Sequence, residues 1–202
     1  MRAARNARRV WARSILSDDK ETITGVQTLR NSIMAVTLFT VACGYVGARA
    51  IPELLLNNEW RENLETLQRY DPITRAGGGV PLLHPAVKLG IALGILFVSF
   101  MCFAQSGRLY SHVGFMLRAV SSNLCPEHWT FEGELLAVLD MAGFLFSLGL
   151  RIFMAFGLLV FWVVGPTTLL IVTVLAVILL FAVDFVSLPK SRDLDTLEVG
   201  HA

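Results

Sequence analysis

The chain has 202 residues, of which 54% are hydrophobic and 16% charged, and its formal net charge is +1 at pH 7. Soluble domains carry about 25% charged residues, so this composition, with its long apolar blocks, excludes an ordinary soluble domain and indicates an integral membrane protein. The small net charge provides no basic field for nucleic acid. We therefore expect membrane lipids and other membrane protein subunits as partners, and no nucleic acid.

The chain begins with a basic stretch whose apolar and charged residues fall on opposite sides of a helix. This spacing predicts an amphipathic helix over residues 2–16. The stretch is rich in arginine and has no acid before Asp18, which is typical of a mitochondrial presequence. A basic helix lying on an anionic membrane surface has the same pattern, and the two interpretations are compatible.

The apolar blocks predict an all-α protein, a four-span transmembrane helical bundle with amphipathic surface helices. The spans are expected at about 32–50, 87–105, 141–164 and 167–188. Between the first two spans, apolar residues at helical spacing predict an interfacial helix at about 57–70. The third and fourth spans are separated by a short Gly-Pro turn, which requires an antiparallel hairpin.

Small residues at spacings of four mark helix faces where a second helix is able to approach closely. The third span repeats this spacing through a charged residue, Arg151, so we expect Arg151 to share a face that looks into the bundle. The residues predicted to pack helices in this way are Gly44, Gly90, Gly94, Gly143 and Ser147.

Arg151 lies deep in the third span, where an ionised side chain is costly and marks a candidate functional site. Its distance from the hairpin turn predicts a pair with Asp184 on the fourth span, since Asp140 is too far along the same helix. Gln105 and Asn31 are expected in the same half of the membrane. This intramembrane polar cluster is predicted either to hold the helices together or to line a substrate or ion pathway.

The positive charges are distributed unevenly between the two sides that four spans define. The side with both termini has eleven basic residues against five on the other, which predicts termini in the cytosol, or in the matrix or stroma of an organelle. The eleven are Arg2, Arg5, Arg8, Arg9, Arg13, Lys20, Arg30, Arg108, Arg118, Lys190 and Arg192.

Motifs for catalysis, cofactors or metals are absent from the sequence. None of the four histidines lies inside a predicted span, and the three cysteines have no C-x-x-C spacing, so we expect no haem, zinc site or disulfide framework. Serine nucleophile elbows and H-E-x-x-H patterns do not occur. We expect no catalytic residues, no cofactor-binding residues, no metal ligands and no enzymatic activity.

Three stretches, at 18–35, 100–110 and 149–166, together resemble the membrane-protein family catalogued as domain of unknown function 599, found in plants, algae and bacteria. The resemblance implies about four spans, and it supplies no catalytic residues. The most specific motifs are Gln27-Thr28-Leu29-Arg30-Asn31 in the first stretch and Phe161-Trp162-Val163-Val164-Gly165-Pro166 in the third.

These observations predict a non-catalytic accessory or structural subunit of a larger membrane complex. The presequence-like start places it in the mitochondrial inner membrane, as part of a respiratory-chain assembly with both termini in the matrix; another membrane with cytosolic termini stays open. The alternative is a small transporter or channel that uses the polar site around Arg151.

Overall fold

The protein is described here by a computed structural model over residues 2–17, 22–78, 83–121 and 128–187. Helices account for nearly all of these ranges, so the all-α prediction is confirmed. The helices are α1 (Arg2–Ser17), α2 (Thr22–Leu56), α3 (Asn58–Tyr70), α4 (Pro72–Ala76), α5 (Pro85–Ser121), α6 (His128–Val164) and α7 (Pro166–Ser187).

Helix α5 is the centre of the bundle and packs against both α2 and α6. Between Leu89 and Leu117, its buried residues alternate strictly between spacings of three and four, which is the pattern of a coiled-coil seam. Such a seam keeps one helix face against its partner over many turns. The buried residues are Leu89, Ala92, Leu96, Ser99, Phe103, Ser106, Tyr110, Val113 and Leu117.

Two serine hydroxyls connect α5 to α6 within the apolar part of the bundle. Ser99 Oγ donates to the carbonyl oxygen of Gly149 at 2.9 Å, and Ser106 Oγ donates to that of Ala142 at 2.9 Å. Advancing seven residues on α5 corresponds to returning seven on α6, so the two helices are antiparallel in one register. Gly149 permits this approach, because a Cβ there would lie 2.9 Å from the Phe103 ring.

Helix α2 packs on the other side of α5 through a second pair of glycines. A Cβ on Gly107 would lie 3.3 Å from Val36 Cγ1, and a Cβ on Gly114 would lie 3.2 Å from Leu29 Cδ2. From Gly107 to Gly114 the contact moves seven residues forward along α5, while from Val36 to Leu29 it moves seven residues back along α2. The interface between α2 and α5 is therefore also antiparallel, with α2 side chains seated over α5 glycines.

Aromatic rings fill the space where α2, α5 and α6 meet. Phe39 on α2 stacks on Phe103 with ring centroids 5.2 Å apart, and it makes edge contacts with Phe146 and Phe153 at 6.1 and 5.9 Å. Such pairs contribute about 0.5–1.5 kcal/mol each beyond their area burial. The interior of the bundle at this depth is therefore a packed aromatic core.

The two ends of the bundle are covered by the amphipathic helices. Helix α1 packs on α2, α5 and α6 at one end and buries Ala12 and Ile15, while α3 packs on α5 and α6 at the other end and buries Leu64. Their bounds coincide closely with the helices predicted over 2–16 and 57–70. Asn57 caps α3 by accepting a 2.9 Å hydrogen bond from Trp60 N.

Three described helices are long and apolar enough to cross a membrane: Ile23–Pro52, Pro85–Leu117 and Gly133–Val164. They contain the first three predicted spans and extend beyond them, because each helix continues out of its apolar block. Pro52, just beyond the first predicted span, lies inside α2. The described apolar part of α7, Pro166–Leu179, is shorter than a full span, so three membrane helices are found where four were predicted.

The small residues predicted to pack helices do so in only one case, and not as expected. A Cβ on Gly44, Gly90 or Gly94 would meet nothing within 4 Å among the described residues, so the predicted close approach is wrong there. Gly143 is buried, but the group against it is the Arg8 guanidinium of α1. Ser147 is half-buried and bonds to Gly143 O in its own helix. The close approaches lie instead at Gly107, Gly114 and Gly149, which the sequence did not single out.

Gly149→Ala should destabilise the protein, whereas Gly94→Ala, a matched change at an open position, should not. The new methyl group at 149 would press on a fully buried ring, and overpacking of this kind costs about 1–3 kcal/mol. Thermal unfolding of the purified protein in detergent measures both variants. Equal midpoints for the two variants would contradict the close contact between α5 and α6.

Candidate functional site

Asp71 lies between α3 and α4, and its buried carboxylate connects α4 to α7. Its Oδ2 accepts hydrogen bonds from the backbone N–H groups of Ile73 and Thr74, both at 3.2 Å, and so caps α4. The same carboxylate accepts from Thr167 N at 3.2 Å and from the Thr167 hydroxyl at 3.0 Å. Asp71 therefore acts as an N-cap for α7 from a distant part of the chain.

The turn between α6 and α7 is shaped to receive this carboxylate. A Cβ on Gly165 would lie 2.7 Å from Asp71 Oδ1, so a larger residue there would displace the acid. The sequence predicted the turn at Gly165-Pro166 correctly, but it contained no signal for the acid that contacts it. This contact attaches the first connection to the hairpin.

Two more buried polar groups surround Asp71. Gln68 is fully buried and donates from Nε2 to the carbonyl oxygen of Val163, in the last turn of α6. Lys88 is only 4% exposed, and its Nζ lies 5.3 Å from the centre of the Trp162 ring, within cation–π distance. Lys88 is also attracted to the Asp71 charge. We call Gln68, Asp71, Lys88, Trp162 and Thr167 the Asp71 cluster.

The Asp71 carboxyl is acidic compared with an ordinary aspartate. Burial acts to raise its pKa, but the hydrogen bonds from Thr74, Thr167 and Ile73 favour the ionised form and outweigh it, so the pKa is lowered. The ionised form is the one that caps α4 and α7. The cluster is thus assembled at neutral pH and depends on the negative charge.

At the opposite end of the bundle, Asp140 on α6 holds α1. Arg9 Nε donates a hydrogen bond of 2.9 Å to Asp140 Oδ2, and Arg9 Nη2 also lies 2.9 Å from Asp140 Oδ2. Arg8 Nε lies 3.9 Å from Asp140 Oδ1, too far for a hydrogen bond. In the sequence, Asp140 was a candidate partner for Arg151 alone, and its contact with α1 was not predicted. The available signal was the position of an acid at the end of a span, opposite a basic helix.

The predicted intramembrane polar cluster is not assembled among the described side chains. Arg151, Gln105 and Asn31 are all exposed on the outside of the bundle, and none bonds to another. The expectation that Arg151 looks inward is wrong, because the seam of α6 runs through Gly149 and Phe153 on either side of it. The side chain of Asp184 lies outside the described residues, so its pairing with Arg151 stays a prediction.

Metal chemistry has no support in the described parts of the chain. No group of three or more His, Cys, Asp or Glu side chains there is arranged to hold a metal ion. The described cysteines, Cys43 and Cys102, are free thiols in α2 and α5. Asp71 and Asp140 each attach an amphipathic helix to one end of the bundle.

Asp71→Asn should remove a pH-dependent part of the stability. Because the pKa of Asp71 is lowered on folding, its contribution is present above the unfolded pKa of about 4 and is lost as pH falls through the folded pKa. The wild-type unfolding midpoint in detergent should therefore fall as the pH is lowered below about 4. The variant should begin lower at neutral pH and lose less over this range.

Glu59→Gln is the matched control, since Glu59 is an exposed acid in the first turn of α3 that leaves the Asp71 contacts intact. Its pH profile should follow the wild type. If Asp71→Asn also followed the wild type, titration of other acids would account for the loss.

Comparison with known proteins agrees with the resemblance seen in three stretches of the sequence. The family model described as "Protein of unknown function, DUF599" matches residues 1–189, which is almost the whole chain. No curated protein and no solved structure matches it. The match includes α1, all three candidate membrane helices and the α6–α7 hairpin. The chain belongs to the DUF599 family of proteins of unknown function.

Proposed function

We propose that this protein is a non-catalytic accessory or structural subunit of a larger membrane assembly. The observation that carries the proposal is the exposure of Arg151 on the outside of α6. A cation on the outer face of a membrane helix needs a group that compensates its charge. A neighbouring subunit whose membrane helix carries a carboxylate or several carbonyl oxygens would supply that group.

The depth of Arg151 strengthens this argument. Asp140 and Gly165 mark the levels at which α1 and α4 cover the two ends of α6. Arg151 lies about 17 Å along the helix from Asp140 and about 21 Å from Gly165. In a hydrocarbon layer about 30 Å thick it falls near the middle, where an arginine facing lipid costs roughly 2.5–3.5 kcal/mol or more.

The transporter or channel alternative has less support. A pathway through the bundle would need polar groups along the interior, and the space between α2, α5 and α6 holds the packed rings of Phe39, Phe103, Phe146 and Phe153. The polar residue on which the alternative depended, Arg151, is on the outer surface. A polar side chain on the outer surface favours assembly with a partner subunit over transport of a substrate or ion through the bundle.

We propose further that α7 is a fourth span and that both termini lie on the same side. Helix α7 has 22 residues, about 33 Å at 1.5 Å per residue, which is enough to cross a bilayer. The mitochondrial inner membrane, with matrix termini and a place in a respiratory-chain assembly, is the location we favour. The arginine-rich presequence-like character of α1 supports it.

Topology is tested with single cysteines introduced at Ser17, Gly78 and Ser191 in a cysteine-free background. Four spans place Ser17 and Ser191 on one side and Gly78 on the other, so a membrane-impermeant maleimide should label them accordingly. Labelling of Ser17 and Ser191 from opposite sides would show three spans. Labelling of Ser17 and Gly78 from one side would contradict the whole arrangement.

Assembly is tested by the size of the particle on a native gel after mild solubilisation of the natural membrane. We expect the wild-type protein in a complex much larger than its own 22.3 kDa, and Arg151→Leu released from it because the interfacial cation is lost. Arg108→Gln removes an exposed arginine near the end of the bundle, so it serves as the control and should stay in the complex.

Two outcomes would count against the proposal. A wild-type protein that migrates alone would remove the accessory role. Alternatively, Arg151→Leu and Asp184→Leu could each lower the thermal stability of the isolated protein while the double variant recovers part of the loss. That result would assign the compensation of Arg151 to its own chain.

A further inference from the structure

A cavity lies beneath α1 at the end of the bundle that carries Asp140. It has a volume of about 280 Å³ and is lined by residues of α1, α2, α5 and α6. This is slightly below the usual range for ligand pockets, roughly 300–1,000 Å³, so it suits a head group with the first carbons of a chain. The walls are mainly apolar, with the hydroxyl-bearing side chains of Thr28, Ser32 and Tyr110 among them.

An excess of positive charge stands at this cavity. Arg8 lines it, and Arg8 and Arg9 face the same carboxylate, Asp140. One positive charge of these three groups is therefore not neutralised within the group. In addition, Arg8 Nε and Asp140 Oδ1 lie 3.9 Å apart, and neither of these buried atoms has a hydrogen-bond partner among the described residues, although buried polar atoms normally have one.

The position of the cavity in the membrane indicates which anions surround it. Leu139 and Arg8 of its lining lie beside Asp140, at the end of the apolar part of α6, where hydrocarbon gives way to head groups. Trp11, also in the lining, belongs to a residue type that is enriched at this level of the membrane. The surroundings of the cavity thus supply lipid phosphates with acyl carbons attached.

From the charge, the missing acceptor and the depth, we infer that this cavity binds the phosphate of an anionic phospholipid. The phosphate accepts from Arg8, and the first part of the acyl region contacts Leu29, Leu139 and Trp11. The bound lipid would hold α1 against the bundle from the membrane side, while Asp140 holds it through Arg9. This site is separate from the Arg151 surface, and the inference does not depend on the proposed function.

Native mass spectrometry of the full-length protein tests the inference, by titrating phosphatidylglycerol into protein purified in a neutral detergent. The wild type should retain one phosphatidylglycerol per chain in preference to phosphatidylcholine. Arg8→Gln should raise the dissociation constant by about tenfold or more, because one charge-assisted hydrogen bond is lost. Arg108→Gln removes a basic residue that does not line the cavity, and it should bind like the wild type.

Ser32→Leu provides a second variant that keeps every charge and fills the cavity. Among the described residues, the Ser32 hydroxyl donates to Thr28 O of its own helix, so the fold should tolerate its loss. Lipid binding should weaken about tenfold or more as well. If Arg8→Gln fails to fold, Ser32→Leu decides. Unchanged phosphatidylglycerol binding in Ser32→Leu would overturn the inference.

A soluble anion is the competing occupant, and inorganic phosphate is its probe. Phosphate added to the protein in phosphatidylcholine nanodiscs should leave the thermal midpoint unchanged, while nanodiscs that contain phosphatidylglycerol should raise it. If phosphate raised the midpoint of the wild type but not of Arg8→Gln, and phosphatidylglycerol did not, the site would belong to a soluble anion and the lipid assignment would be wrong.

Discussion

Two serine hydroxyls of α5 donate to backbone carbonyls of α6, and between these hydrogen bonds the Phe103 ring lies over Gly149. In a bilayer, apolar surface gains little by moving from lipid to protein, so helices associate through close packing and interhelical hydrogen bonds. Once these contacts determine the register of α5 on α6, Phe103 forms the surface on which Phe39 of α2 stacks. The three-helix core therefore depends on this one seam.

The two ends of the core are completed in the same way, each by one acid and an amphipathic segment. Asp71 attaches the α3–α4 connection to the start of α7, and Asp140 attaches α1 to α6. Burial removes both acids from water in part, and hydrogen bonds to Asp71 and arginines at Asp140 compensate that cost. The Asp140 attachment shapes the end of the bundle that contains the cavity beneath α1.

The distribution of polar groups accounts for the kind of function proposed. The interior holds aromatic rings, while Arg151 and Gln105 point outward and Arg8 lines a cavity at the membrane boundary. The polar groups of such a protein are placed to bind neighbouring molecules: a membrane helix of a partner at Arg151 and a phospholipid beneath α1. Both proposed contacts would be lost in detergent that strips lipid and partners, which makes mild solubilisation essential to studying either.

The sequence by itself determined the membrane class, the positions of the main helices, the bounds of α1 and α3, and the turn at Gly165, because hydropathy, periodicity and turn residues act locally. It did not determine which small residues are contacted: Gly90 and Gly94 have the right spacing but face open space. Nor did it reveal the partners of Asp71 and Asp140, or the outward direction of Arg151. Those were decided by the tertiary structure, because contacts between residues about 100 positions apart depend on the register of whole helices, and one seam sets that register for all of them.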